Sequence, residues 1–480
     1  RLSEPHDLIG STLEDNNKRI RKQKKLDIRV IMGNPPYSLG QKNENDNNNN
    51  LNYPSLDERI RQTYVAYSNA SLSKGLYDSY VRAIRWASDR IGKCGVIGFV
   101  TNGGFTENHT ADGLRKCLVE EFSSIYVFHL RGNQRTSGET SRREGGKIFD
   151  AGSRAPIAIS IMVKNPDAKE QGRILFHDIG DYLTREEKLR RIESLVSVNG
   201  ISGMKLWTTI VPDEHGDWLK KRDNNFQKFI AMGSKKSSDN CLFSNFSLGV
   251  VTSRDAWCYN SSKRKLKNNI NSMINNYNNQ VSSLSDIIKE RLINDFIDVD
   301  RKKISWSRAL KQDFIKGKQI AFMPDGIIQA TYRPFMTQWM YFNRQLNEMI
   351  YQMHRLFPNE NVENYIICVP GLGGDKGFSA FMANHVIDLN LAPAMGGYQA
   401  FPLFTYTNEV SRAGKEKDLF SLASSPDLTR RNAITDDGLK HFQDAYPGQI
   451  ISKEDLFYYV YGLLHSPEYR ERYADTLRKE

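Results

Sequence analysis

Four apolar runs punctuate the first third of the chain, at residues 27–33 (DIRVIMG), 95–101 (GVIGFVT), 124–130 (SIYVFHL) and 156–163 (PIAISIMV). Short, nearly continuous apolar runs read as strands buried on both faces. Between the first two, Tyr77, Tyr80, Val81, Ile84, Ala87 and Ile91 recur at helical spacing, which predicts a helix over 76–91 ended by GKCG. A second helix, about 111–121, connects the next strand pair. Strands alternating with helices predict a three-layer α/β sheet, at least in part parallel.

The pattern loosens from 166 to 205, through KNPDAKEQG and a charged helix near 184–196. The domain boundary is expected there, with residues 1–200 and 201–480 as the two domains. The later region has a different texture. KRKLKNNINSMINNYNNQVSSLSDIIKERLINDFI reads as one or two helices, followed by short aromatic segments and turns, then a helical tail over 453–479. The asparagine-rich stretch QKNENDNNNNLN, 41–52, reads as a mobile loop or lid.

A length of 480 residues with 39% hydrophobic and 11% aromatic content fills two or three domains and argues against global disorder. No run reaches the roughly 18 apolar residues of a membrane span, and the N-terminus has no signal-peptide core. Cys94, Cys117, Cys241, Cys258 and Cys368 are scattered, without zinc spacing, so a reduced cytoplasm is expected and a metal site is not. The net charge of +11 suits a polyanion. Its basic residues cluster at 18–25, 263–267 and 301–303, interleaved with SRDAWCYN and YRPFMTQWMYF. Any one cluster could be a solvated helix face; three beside aromatics point to nucleic acid, with cations for phosphates and rings for bases.

The first run ends in Gly33-Asn34-Pro35-Pro36-Tyr37. Two prolines cannot extend a sheet ladder, so the strand stops in a stiff loop. Asn34 offers an acceptor and two donors, the proline carbonyl adds an acceptor, and Tyr37 can stack on a ring. Such a set can hold an exocyclic NH2 group at a strand's carboxyl end, where open α/β sheets bind ligands. A polyproline turn with a structural tyrosine is the other reading.

GNPPY resembles the N-P-P-Y motif of amino-group methyltransferases that use S-adenosylmethionine, chiefly DNA adenine-N6 enzymes. DIRVIMGNPPYS, LYDSYVRAIRWASDRIG, GVIGFVTNGGF, DGLRKCLVEEFSSIYVFHLRGNQRTSGE and EGGKIFDAGSRAPIAISIMVK resemble the methyltransferase part of type ISP restriction–modification enzymes. TSRDAWCYN, YRPFMTQWMYF and QAFPLFTY resemble the target-recognition region that follows it. The resemblance implies a partial Rossmann-like methyltransferase sheet followed by an α+β target-recognition domain, acting on double-stranded DNA. Asn34 and the carbonyl of Pro35, stiffened by Pro36, would bind the adenine amine. Tyr37 would stack on the extruded base, with Phe149 as a second ring or else a core phenylalanine. Leu76 and Tyr77 match a helix near the cofactor adenosine, but helical packing explains both. Arg254, Trp257, Arg264, Arg333 and Trp339 are the candidate DNA-binding residues. The methyl would pass directly from sulfonium to N6, without a covalent enzyme intermediate.

The family's glycine-rich cofactor turn should precede NPPY, yet residues 1–33 hold only Gly10 and Gly33. YIICVPGLGGDKGFSAFM, 365–382, has the local shape but no acidic residue placed for a ribose. The chain therefore reads as part of a larger polypeptide, with ATP and Mg²⁺ belonging to helicase and nuclease parts elsewhere in it. The other readings are a non-catalytic DNA-recognition module and methylation of a glutamine amide or an RNA base.

Overall fold

The computed structural model describes residues 14–36, 53–70, 73–149, 153–234, 240–283, 297–371, 377–392, 396–408, 428–477 and 479. Tyr37, the 41–52 stretch and most of the GLGG turn lie outside the described residues. The chain forms two compact units, Arg1–Arg222 and Asp223–Glu480.

The first unit is built on six strands: β1 (Val30–Gly33), β2 (Gly95–Asn102), β3 (Ser124–Arg131), β4 (Ile157–Lys164), β5 (Arg173–Asp178) and β6 (Thr208–Ile210), in the order β1-β2-β4-β3-β5-β6. β1 pairs parallel with β2 and β3 parallel with β5, while β4 runs antiparallel between β2 and β3. β1, β2, β3 and β5 therefore all point one way, and their carboxyl ends share one rim of the sheet with the amino end of β4.

Alternation along β3 sends Ile125 and Val127 to one face and Phe128 and Leu130 to the other. The first face packs on Ile60, Tyr64, Val81, Ile84 and Leu114, from the helices Pro54–Ile60, Ser79–Arg90 and Asp112–Glu121 and the π-turn Arg61–Val65. The second packs on Leu195 and Ile201, from the helices Arg185–Leu195 and Val198–Gly203. The predicted three layers are present. The helix expected over 76–91 begins at Ser79, because the Asp78 side chain accepts from the Tyr80 amide and caps it, leaving Lys74–Tyr77 as a 3-10 turn.

Residues 201–222 pack with the first unit, about 20 residues past the boundary expected from composition. β6 extends the sheet antiparallel to β5, and Asp217 is fully buried against the equally buried Arg115 at 2.7 Å.

The second unit has four layers. β13-β9-β10-β8 and β12-β11-β14-β7 are two four-stranded sheets (β7 Ser247–Leu248, β8 Tyr259–Asn260, β9 Ile327–Arg333, β10 Met336–Tyr341, β11 Ile366–Pro370, β12 Phe381–Ala383, β13 Val386–Ile387, β14 Tyr398–Pro402). Ile328, Ala330 and Met340 of one sheet and Ile366, Cys368 and Ala400 of the other share a single core. The outer face of the first sheet, with Ile327 and Tyr341, carries the helix Lys263–Ser282 through Leu266, Ile270 and Tyr277. The outer face of the second, with Ile367 and Phe401, carries the helix Lys453–His465 through Phe457 and Val460. A two-stranded ribbon, β15 (Phe404–Asn408) and β16 (Leu428–Asn432), completes the unit.

Ile366–Pro370 is a strand, as expected before GLGG, but it lies between antiparallel partners β12 and β14, and no helix follows within 377–392. It is not a dinucleotide-type strand–turn–helix.

Candidate functional site

β1 delivers Asn34, exposed, and the half-buried Pro35 to the carboxyl rim of the first sheet. β1 is also the outer strand of the sheet, with Val30 61% and Met32 80% exposed. Beside it, β2 ends at Asn102, whose side chain accepts from the Gly104 amide at 2.8 Å and starts the buried turn Gly103–Thr106. Behind that turn lies Arg115, which donates to the Phe105 carbonyl at 3.0 Å and the Asn108 carbonyl at 2.7 Å while paired to Asp217. A charge removed from water this completely holds only with such partners. Arg115 therefore fixes the loop after β2 from inside.

The β3 and β5 ends carry a second network. His129 Nδ1 stands 3.7 Å from Asp178, and Arg131 Nε meets the same carboxylate at 2.7 Å. Burial raises the Asp178 carboxyl, but His129, Arg131 and the Gly180 amide outweigh it and hold the group well below the usual carboxylate range. Arg131 also pairs with Asp181.

The segment leading to Phe149 is clamped. Lys188, fully buried, donates to the carbonyls of Glu144 and Gly146, both at 2.7 Å, and Arg185 Nε donates to the Ile148 carbonyl at 3.0 Å. Burial brings the Lys188 amine down to about 8. Only glycine fits the middle of this clamp, since a Cβ on Gly145 would stand 2.2 Å from the Leu183 carbonyl oxygen. Phe149 itself is half-buried against the core of Phe128, Leu130 and Ile157.

Other candidates fall in two groups. Leu76 is buried and Tyr77 packs on the same core, both from the 3-10 turn Lys74–Tyr77. In the second unit Arg254 is interior: Nε donates to the Ser305 carbonyl at 3.1 Å, Nη2 to Ser307 Oγ at 2.6 Å, and Nη1 to the Leu346 carbonyl. Trp257 and Trp339 pack against the core under the Lys263–Ser282 helix. Trp339 also lies beneath Lys263 Nζ, 4.6 Å from the ring centroid. Arg333 reaches Asp388 at 2.9 Å, and its guanidinium lies 3.8 Å from the Tyr332 ring centroid. Arg264 is exposed.

Lys263, Arg264 and Lys265 open a helix with no acidic residue in its first turn. Cations there oppose the helix dipole, and Lys263 is offset by Glu360 at 3.8 Å. Sequence reasoning missed Arg115, His129 and Lys188. The one signal was an arginine or lysine set at core spacing, as Arg115 is between Leu114 and Leu118.

Among the described residues, no group of His, Cys, Asp and Glu could hold a metal ion, and no helix is long and apolar enough to cross a membrane.

This architecture is shared with known proteins. Residues 241–480 match the family model of the Type ISP C-terminal specificity domain. A nuclease-deletion mutant of the Type ISP restriction–modification enzyme LlaGI, in complex with a DNA substrate mimic, is 40% identical, with a TM-score of 0.80 over 99% of this chain and 35% of its own. The ATP-dependent Type ISP enzyme LlaBIII bound to DNA is 34% identical, with a TM-score of 0.80 over 100% of this chain and 29% of its own. DrdV in a DNA complex is 34% identical, with a TM-score of 0.79 over 98% of this chain and 44% of its own. The chain thus spans between a quarter and a half of the length of these proteins. No curated protein matches it. The chain belongs to the Type ISP restriction–modification family, and its second unit carries that family's specificity domain.

Proposed function

We propose that this chain supplies the base-holding loop and the target-recognition domain of a DNA adenine-N6 methyltransferase within a larger restriction–modification polypeptide. The observation that carries the reading is Asn34-Pro35-Pro36 at the carboxyl end of β1, beside the carboxyl end of a parallel β2. Ligands of open α/β sheets bind at such strand ends. The Asn34 amide oxygen and the Pro35 carbonyl take the two amine hydrogens of an extruded adenine, which draws electron density onto N6. Tyr37 provides the stacking face. Phe149, on a loop clamped by Lys188 and Arg185, is the candidate second ring.

S-adenosylmethionine supplies the electrophilic methyl when bound, and residues 1–33 carry no glycine-rich turn for it. The glycine turn after β2 is filled from within, since a Cβ at Gly103 would meet His129 Cδ2 at 2.9 Å and one at Gly104 would meet Asn108 Nδ2 at 2.9 Å. The chain's own work is therefore on the amine side, together with duplex recognition. The same filled turn supports a second reading, a recognition module that positions other parts of the polypeptide without catalysis.

The test is incubation with duplex DNA and methyl-labelled S-adenosylmethionine, using this chain and a form extended at its amino end. Label on adenine is expected, and Asn34→Ala should lower its rate about 100-fold or more, as loss of one well-placed polar partner does. Label on protein or RNA would sink the proposal. Sequence-selective DNA binding without label in either form would favour the module.

A further inference from the structure

We propose that the β9–β10 hairpin is a wedge that enters the base stack of the target duplex, with Phe335 as the inserted ring; this rests on the DNA-recognition reading. Phe335 is 98% exposed and holds φ +61°. A bulky residue in the left-handed region is strained, and glycine or asparagine fills that place more cheaply. Burial gains nothing from this side chain either, for its one ring contact is edge-on to Phe381 at 6.1 Å between centroids. Folding gives no reason for a phenylalanine here.

The mount is rigid where the tip is bare. Arg333 Nη1 donates to the Tyr332 carbonyl at 2.6 Å and to the buried Asp388 at 2.9 Å. Asp388 also accepts from the Tyr259 hydroxyl at 3.1 Å and the Asn390 amide at 2.9 Å. The Tyr332 hydroxyl donates to Asp255 at 3.2 Å. Arg333 is thus a positioning residue that fixes the hairpin root, and Met336, 46% exposed, widens the apolar tip.

Charge selects the partner. Four residues along β10 from Phe335, about 13 Å at strand rise, Trp339 lies under Lys263, which also meets Glu360 at 3.8 Å, and the exposed Arg264 and Lys265 follow it on the helix. Exposed cations near one end of a strand and a projecting ring at the other suit the phosphates and a base step of one duplex. A protein partner would need a broad face, and this feature is a convex point. Ile450, equally exposed, is aliphatic and sits in a loop outside any strand.

The test uses the whole chain. Duplexes retained by the wild-type protein from a randomised pool define its site, and 2-aminopurine is then scanned through that site. A fluorescence rise at one step is expected, retained in Phe335→Trp and lost in Phe335→Ala. Affinity of Phe335→Ala for the selected site should fall roughly tenfold or more, the scale of one stacked base, with affinity for random duplex within about twofold. The urea midpoint should stay put or rise, since nothing buried is removed. Unchanged affinity and fluorescence in Phe335→Ala would overturn the wedge. So would unchanged DNA binding with an altered oligomeric state or protease pattern, which would make the tip a protein contact. A wild-type chain that retains no duplex overturns the recognition reading itself, and the wedge with it.

Discussion

Both units turn charged side chains inward as clamps, and they differ in what stands beside those clamps. At the carboxyl rim of the first sheet, Arg115 and Lys188 are buried behind loops, Arg115 holding the loop after β2 and Lys188 the segment that leads to Phe149. In the second unit Arg254 and Arg333 are locked to Leu346, Ser307 and Asp388, and what projects is an aromatic tip and a row of exposed lysines and arginines. Residue type therefore does not separate recognition from support. An arginine among aromatics serves phosphates or holds a loop, depending on whether its donors are already taken.

That contrast can be broken experimentally. Arg115→Met leaves Asp217 buried without its main partner and should lower the stability of the first unit by about 3–5 kcal/mol in urea unfolding. A loss under 1 kcal/mol would mean that the rim loop is held otherwise. Arg254→Ala orphans acceptors in the second unit and should lower its stability by roughly 2–3 kcal/mol, with no change in the selected DNA sequence. A changed sequence with intact stability would return Arg254 to the reading surface.

Asp178 sharpens the comparison through pH. Its folded pKa lies below the unfolded value of about 3.9, so the folded state binds fewer protons near that pH. The stability it contributes is present above that value and is lost as pH falls below it. Asp178→Asn should flatten the acid limb of the stability curve of the first unit below pH 4, and an unaltered limb would remove Asp178 from the rim network. The smallest effect belongs to Arg264→Ala, which should leave the unfolding midpoint unchanged and reduce the salt slope of DNA binding by about 1. An unchanged slope would place the helix end away from phosphate.

Much of the first unit is legible along the chain. The runs at 95–101, 124–130 and 156–163 lie within a residue of β2, β3 and β4, since strands covered on both faces are apolar throughout. β5, Arg173–Asp178, escapes notice because its end is polar and supplies the rim instead of the core. The helix start shifts to 79 because a single aspartate side chain outweighs three residues of helical periodicity. Asn34 is marked by its prolines, and its place at a strand end follows from them. Among the DNA-binding candidates, exposure separates Arg264 from Arg254, and no local pattern distinguishes the two.

By itself the sequence determined the alternation of strands and helices, the stop after Gly33, the charge that suits a polyanion, and a resemblance that the family match bears out. These depend on local stereochemistry and on runs of apolar side chains, which neighbours in sequence suffice to define. Tertiary structure alone decided which strand ends share a rim, that Arg115 and Lys188 are interior clamps, and that Phe335 stands in the open at a strained turn. Those depend on partners far apart in the chain, such as Arg115 with Asp217 and Arg333 with Asp388, so pairing and burial become visible only once the chain is packed.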